Sequence, residues 1–217
     1  MKSYLLLFLL ISVYSFNLRQ TKQDYDSYVM AVQWPNGYCS ANDCGSKDDN
    51  LEKNAMTIHG LWPSLKSGKY LSDCTSGVTI NNDGSTLFKN MEKYWPTLST
   101  SNTNEYFWGH EYNKHGYCMV EEKGWSGYTP YFQYVMDLHL KTYKDLITKA
   151  FSASTATVTY EQAKTAIQKI IPNATFKMNC KSNYIYEFYF YLELDTTTPS
   201  TSSRFSNTCT SAQLIFK

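Results

Sequence analysis

The apolar positions change their period along the chain, and the changes mark the elements. After Lys2, residues Tyr4 to Val13 form a nearly unbroken apolar run, with small Val13 and Ser15 placed as at a cleavage site. A membrane span needs roughly 20 apolar residues, so this run is read as a signal peptide over residues 1–15. The mature chain, 16–217, is expected to be one domain. Ser27 to Pro35 reads as a strand ended by Pro-Asn-Gly, Gly37 to Asn54 as a polar loop, and Ala55 to Leu61 as a second strand running into Trp-Pro. Ser64 to Asp83 is again loop. Helical periods follow: Thr86 to Tyr94, Asn104 to Cys118, Thr129 to Phe151 with Pro130 in its first turn, and Tyr160 to Ile171 before Pro172. Strand patterns return at Ala174 to Cys180, Tyr184 to Leu194 and Gln213 to Phe216. Helices in the middle and strands at both ends predict an α+β fold, a central antiparallel sheet packed against several helices. Tyr184 to Leu194 lacks alternation, which suits a central strand covered on both faces.

Composition narrows the picture. Of 217 residues, 20 are Lys or Arg and 19 are Asp or Glu, a formal charge of +1 that disfavours gripping long nucleic acid by bulk electrostatics. A charged fraction of 18% beside 42% hydrophobic residues excludes global disorder. Aromatics at 16% exceed ordinary needs and suit strands and stacking surfaces. The six cysteines are Cys39, Cys44, Cys74, Cys118, Cys180 and Cys209. An even count in an exported chain suggests disulfides, and the absence of a CxxC pair disfavours a zinc ribbon. Asn173-Ala174-Thr175 is a glycosylation sequon.

The histidines carry the chemistry. His139 lies in the longest helical segment and reads as structural. His59 sits in TIHGLWPS, while His110 and His115 share WGHEYNKHGYC. On a helix of about 100° per residue, His110, Lys114, Glu111 and His115 fall within an arc of about 140°, with Phe107 and Cys118 on the same arc. A solvated face would not favour those two, so a cleft-lining polar cluster is expected. A zinc protease helix needs histidines at i and i+4; the i, i+5 spacing here spoils that bite, and no metal is expected. Two histidines, a carboxylate and an ammonium suit attack of a 2′-hydroxyl on its neighbouring phosphodiester. One neutral imidazole takes the hydroxyl proton, a protonated one gives a proton to the leaving 5′-oxygen, and a cation steadies the transition state. RNA carries that hydroxyl and DNA does not.

Ile58 to Pro63 (IHGLWP) and His110 to Cys118 (HEYNKHGYC) resemble the two active-site motifs of the ribonuclease T2 family, and Gln33-Trp34-Pro35 resembles its early strand. The resemblance implies a cyclising endoribonuclease with His59 as general acid and His115 as general base. It implies Glu111 and Lys114 at the transition state, His110 on the phosphate, and Trp62, Tyr70 and Phe107 as base-binding residues. It also implies the pairs Cys39–Cys44, Cys74–Cys118 and Cys180–Cys209. The partner would be single-stranded RNA, with no DNA, no membrane and no cofactor, acting as a monomer in an extracellular, lysosomal or vacuolar lumen at acidic pH. Tyr112 replaces the usual Trp of the second motif, Tyr117 an often-found Thr, and Ser64 an acidic residue that in some members reads adenine; these departures bear on base preference. Two other classes remain as alternatives: a catalytically silent storage or binding relative, and a metallohydrolase.

Overall fold

The computed structural model describes residues 25–45, 51–52, 54–68, 71–72, 74, 76–200, 209 and 211–213. The signal-peptide segment, Tyr70 and residues 214–216 of the last expected strand lie outside the described residues. Three strands carry the architecture. β1 (Ser27–Gln33) is buried along its whole length. The segment after it, expected as loop, opens instead with a short helix, α1 (Pro35–Ala41). Pro35 stands at its start, where a missing N–H costs nothing, and the Cys39–Cys44 disulfide closes its end. β2 (Thr57–Ser64) runs three residues past Leu61 and takes in Trp62-Pro63. Proline is tolerated there because β2 is an edge strand, paired with β1 alone among the described strands.

The helical layer follows in chain order. α2 (Thr86–Tyr94) matches its expected limits. α3 (Asn104–Lys114) gives way to a 3-10 turn at Gly116–Met119 and then to α4 (Val120–Lys123). α5 (Thr129–Leu138) passes through a π turn at His139–Tyr143 into α6 (Leu146–Ala150), so the expected single helix is broken. β3 (Thr157–Thr159), too short to show a period, precedes α7 (Tyr160–Gln168), which Thr159 and Gln162 cap reciprocally. β4 (Phe176–Lys181), β5 (Tyr184–Leu192) and β6 (Ser211–Gln213) complete a six-stranded sheet. The path is β2-β1-β5-β6-β3, with β4 also paired to β5. Pairing is antiparallel except for one parallel contact between Tyr184 and Gln213. No helix among the described residues is long and apolar enough to cross a membrane.

β5 is covered on both faces, as its unalternating sequence implies. Phe188 and Phe190 join Met30, Val32, Ile58 and Leu61 in the main core, against Phe88, Trp95, Trp108, Tyr131 and Phe132 from the helical layer. The opposite face carries a small cluster of Val29, Ala31, Trp62 and Tyr191, with Tyr189 packed on it. That second face holds the candidate site. All three disulfides implied by the family resemblance are present.

His139 is structural, as expected. It is fully buried in the π turn, and its Nε2–H donates to the Met56 carbonyl at 2.9 Å. The Met56 N–H donates in turn to Lys144 O at 2.7 Å, so the helix break is fastened to the residue that leads into β2. Burial depresses the imidazole pKa to about 3, against the opposing pull of the Met56 bond. The unfolded chain binds a proton below about pH 6.5 that the folded chain refuses. This group's stability contribution is therefore full above pH 6.5 and is lost as pH falls toward 3, by roughly 1.4 kcal/mol per unit. Urea unfolding of parent and His139→Gln at pH 7 and 4.5 checks this. The parent should lose roughly 2–3 kcal/mol more than the variant over that interval, and equal losses would clear His139 of the effect.

Candidate active site

The first histidine is placed by a defect in a strand. β1 and β2 pair in register from Ser27–Ser64 to Ala31–Gly60, then resume at Val32–Ile58. His59 is the extra residue. A bulge of this kind lets Ile58 keep to the core while Gly60 and Trp62 face the other side, and it re-aims the bulged side chain. Core aromatics secure the exposed strand edge: Trp95 Nε1–H donates to His59 O at 2.9 Å and Tyr131 O–H to Leu61 O at 3.2 Å. Trp95 is itself held by Trp108, whose Nε1–H donates to its carbonyl at 2.7 Å.

The second motif folds differently from the expected continuous helix. α3 starts at a Thr103 cap that accepts from the Tyr106 N–H and stops at Lys114. His115 takes φ −127° and ψ −52°, outside the helix. The cause lies downstream. Gly116 packs against the Tyr131 ring, where a Cβ would come within 2.8 Å of ring carbons, and Cys118 is tied to Cys74. The chain must turn there, so the helical arc drawn through His115 and Cys118 does not exist. Within α3 the expected single face is divided: Phe107 and Glu111 face β2, whereas His110 and Lys114 line a neighbouring groove of about 640 Å³. Tyr106, exposed at 64%, Asn113, Val78 and Ile80 also line it. Asn113 clamps the far wall, donating to Val78 O at 2.8 Å and accepting from Val78 N–H at 3.0 Å.

Glu111 is the hub. It is 1% exposed. Its Oε2 accepts from Trp62 Nε1–H at 2.8 Å, and its Oε1 lies 3.5 Å from His59 Nε2. Burial alone would raise its pKa, but the two histidines and the indole N–H outweigh that and hold it below the usual carboxylate range. His59 has a carboxylate on each side, since its Nδ1 contacts Glu187 Oε1 on β5. Burial pulls the His59 pKa down; Glu187 and Glu111 together reverse this and push it well above its ordinary value. His115 goes the other way. Burial lowers its pKa, and Lys114 and the His59 charge add to that, against Glu111 and the Leu71 carbonyl. His115 Nδ1–H donates to Leu71 O at 2.9 Å, which leaves Nε2 with its lone pair free at the tautomer this bond selects. Both imidazoles flank one indole: Trp62 lies 5.1 Å from the His59 ring and 5.2 Å from the His115 ring, centroid to centroid.

The structure thus brings His59, Trp62, Glu111, His115 and Phe107 together, the last 5.6 Å from the His59 ring. Lys114 and His110 stand beside this group, His110 exposed at the groove. Trp62 is only 5% exposed, packed between both histidines and Tyr189, so its place here is support of Glu111 rather than an open face for a base. Asn173 is exposed in a turn with φ 61°. Glu187 was not anticipated. Its signal was a lone charge inside the otherwise uncharged run Tyr184–Leu192.

On this sheet two histidines thus converge on one buried glutamate. The chain belongs to the Ribonuclease T2 family, whose model matches residues 25–209. Ribonuclease 1 of Arabidopsis thaliana is 35% identical over 143 residues, 63% of this chain and 59% of that protein. The chain spans about half the length of the curated relatives it matches first. Among solved structures, ribonuclease MC1 from bitter gourd seeds superposes with a TM-score of 0.67 at 23% identity, over 87% of this chain and 99% of that one. RNase NT in complex with 5′-AMP gives 0.65 at 24%, over 89% and 98%. These likenesses establish the fold.

Gly60 tests the geometry without reference to activity. A Cβ on Gly60 would collide with the Glu111 carboxylate and come 2.6 Å from Trp62 Nε1. Gly60→Ala should force Glu111 off its partners and destabilise the chain by about 1–3 kcal/mol. The His59 pKa, followed by NMR, should fall. A variant with parental stability and an unmoved His59 titration would refute the close packing of Glu111.

Proposed function

We propose that the protein is an endoribonuclease that cleaves single-stranded RNA without a metal, by 2′-hydroxyl attack through a 2′,3′-cyclic phosphate. The observation that carries this reading is the pair of oppositely tuned imidazoles on either side of Trp62. His115, with its pKa lowered and its Nδ1–H committed to Leu71, accepts the 2′-hydroxyl proton on Nε2. The 2′-oxygen bonds to phosphorus and the bond from phosphorus to the 5′-oxygen breaks. His59, held protonated by its two carboxylates, delivers the Nε2 proton to that leaving oxygen. Lys114 supplies positive charge to the phosphorane, and His110 meets a phosphate oxygen at the mouth of the groove. Phe107 is the aromatic surface beside His59 on which a base packs. Family membership and the nucleotide-bound relative support RNA as substrate. The sequence-derived signal peptide supports a route to the cell exterior or a lytic lumen. The exposed Asn173 side chain is a glycan acceptor in that setting.

Substitution of either imidazole is the direct check. His59→Ala and His115→Ala should each lower turnover by roughly 10²- to 10⁴-fold while the fold survives. Near-parental turnover in a folded variant would remove that residue from the mechanism. An oligonucleotide with one 2′-deoxy ribose should resist cleavage at that linkage alone, with EDTA present throughout. Cutting there at full rate would make water the nucleophile.

The pH dependence follows from the signs above. The productive form has His115 neutral and His59 charged. A lowered His115 pKa moves the acid limb below the ordinary imidazole range, which keeps the base competent in an acidic lumen. A raised His59 pKa moves the alkaline limb above that range. The log of kcat/KM against pH should therefore show limbs spread to either side of about pH 6.5. A narrow bell centred on that value would contradict the tuning.

A further inference from the structure

We propose that Glu187 is the positioning residue for His59: its carboxylate fixes the imidazole through Nδ1 and leaves Nε2–H as the proton aimed at the leaving group. This inference rests on the ribonuclease reading above and assigns the residue that prepares its acid.

Glu187 occupies the middle of β5, opposite Gln33 on β1 and Asn179 on β4. It is 2% exposed and is the one charged side chain in a nine-residue strand of aromatic and aliphatic residues. An ionised carboxylate at such a depth is very costly unless it is paired and hydrogen-bonded. Both conditions are met. One oxygen contacts His59 Nδ1; the other accepts from Asn179 Nδ2–H at 3.2 Å. The carboxylate is thereby tethered on a neighbouring strand in the interior of the sheet, away from the half-buried edge of the site.

The groups facing this pair are few. Glu111 approaches His59 from α3, with His115 beyond it. Tyr38 of α1 and Tyr186 of β5 lie near Glu187, and the pKa of each phenol is raised first by burial and then by that negative charge. Phe107 and Trp62 supply uncharged rings around the imidazole. The two carboxylates are not equivalent. Glu111 lies 3.5 Å from Nε2, the nitrogen that must turn to the substrate, and it is shared with Trp62 and the field of His115. A phosphodiester entering the site competes for that nitrogen. Glu187 holds the opposite nitrogen, out of the substrate's reach, and keeps its hold throughout the reaction. The arrangement is that of a buried acid orienting a histidine from behind.

NMR titration of His59 and pH–rate profiles on RNA test the assignment in the full chain. In the parent, Nδ1 of His59 should carry a downfield, hydrogen-bonded proton that persists above neutral pH. In Glu187→Gln the His59 pKa should drop by about one unit or more. The alkaline limb of kcat/KM should move down with it, while the acid limb, set by His115, stays in place. At pH values beyond the shifted limb this appears as a fall of about tenfold per unit, carried by kcat with KM little changed. Glu187→Asp, which keeps the charge at shorter reach, should restore most of the His59 pKa. A folded Glu187→Gln with parental His59 titration and alkaline limb would overturn the proposal and leave Glu187 a packing residue. Should Glu187→Gln fail to fold, the parent decides alone: an unprotonated Nδ1 at neutral pH overturns the proposal. A parent that does not cut RNA would defeat the ribonuclease reading, while the Glu187–His59 coupling would still be decided by NMR.

Discussion

A single carboxylate organises the site. Glu111 lies where α3 meets β2, with 1% of its surface in contact with solvent, and its ionised form survives only with donors and positive charge around it. Each local feature answers that requirement. Residue 60 is glycine because the carboxylate sits where a Cβ would be. Trp62 points to the same side of β2 as Gly60 and supplies an N–H at 2.8 Å. His59, which in a regular strand would alternate away from both, is returned to them by the bulge opposite Ala31 and Val32. α3 contributes the carboxylate from its strand-facing side, and Trp108, three residues before it, and Tyr112, next after it, are fully buried in the core. The helix cannot shift without exposing those two rings, so the position of the charge is set by core packing.

The same carboxylate acts on both histidines, yet they end with opposite tuning. The difference comes from what else each one meets. His59 gains a second negative neighbour in Glu187 and keeps 27% of its side chain exposed. His115 is more deeply buried, stands next to Lys114 in the chain and faces the His59 charge. Titratable groups driven apart by their surroundings mark acid and base assignments in enzymes generally. Here the separation is produced by three strands and one helix end rather than by the two motifs alone.

Much of this was legible in the sequence, and the failures have identifiable causes. The sheet, the helical middle and the covered central strand followed from period and composition, because Tyr184–Leu192 cannot alternate and Thr86–Tyr94 is bounded by a Trp-Pro step. The grouping of His59, Glu111 and His115 followed from motif resemblance, but the helical-wheel argument for His115 was wrong in its geometry. It assumed a helix through Gly116, and neither the Tyr131 ring against that glycine nor the pull of Cys74 on Cys118 is a local property of the segment. The π turn at His139 has the same origin: its two fastenings reach to Met56, more than eighty positions earlier in the chain. Interactions between distant segments decide such breaks, and no window of residues contains them. The resemblance implies a stacking role for Trp62; its burial between two imidazoles and Tyr189 gives the indole N–H more to do than the ring face.

The electrostatic arrangement supports the proposed enzyme over a silent relative on the same fold. A storage or binding protein gains nothing from two buried carboxylates converging on one partly exposed imidazole. Removing all three in favour of apolar side chains is often neutral or stabilising for a protein interior. Retaining them is advantageous where a proton must be held at one nitrogen of a ring and released from the other. Glu187 lies on β5, far in sequence from either histidine motif, and is held in place by Asn179 from a further strand. A sheet that spends a central position on such a charge is built to the needs of His59. That constraint extends the site from two short motifs into the body of the fold.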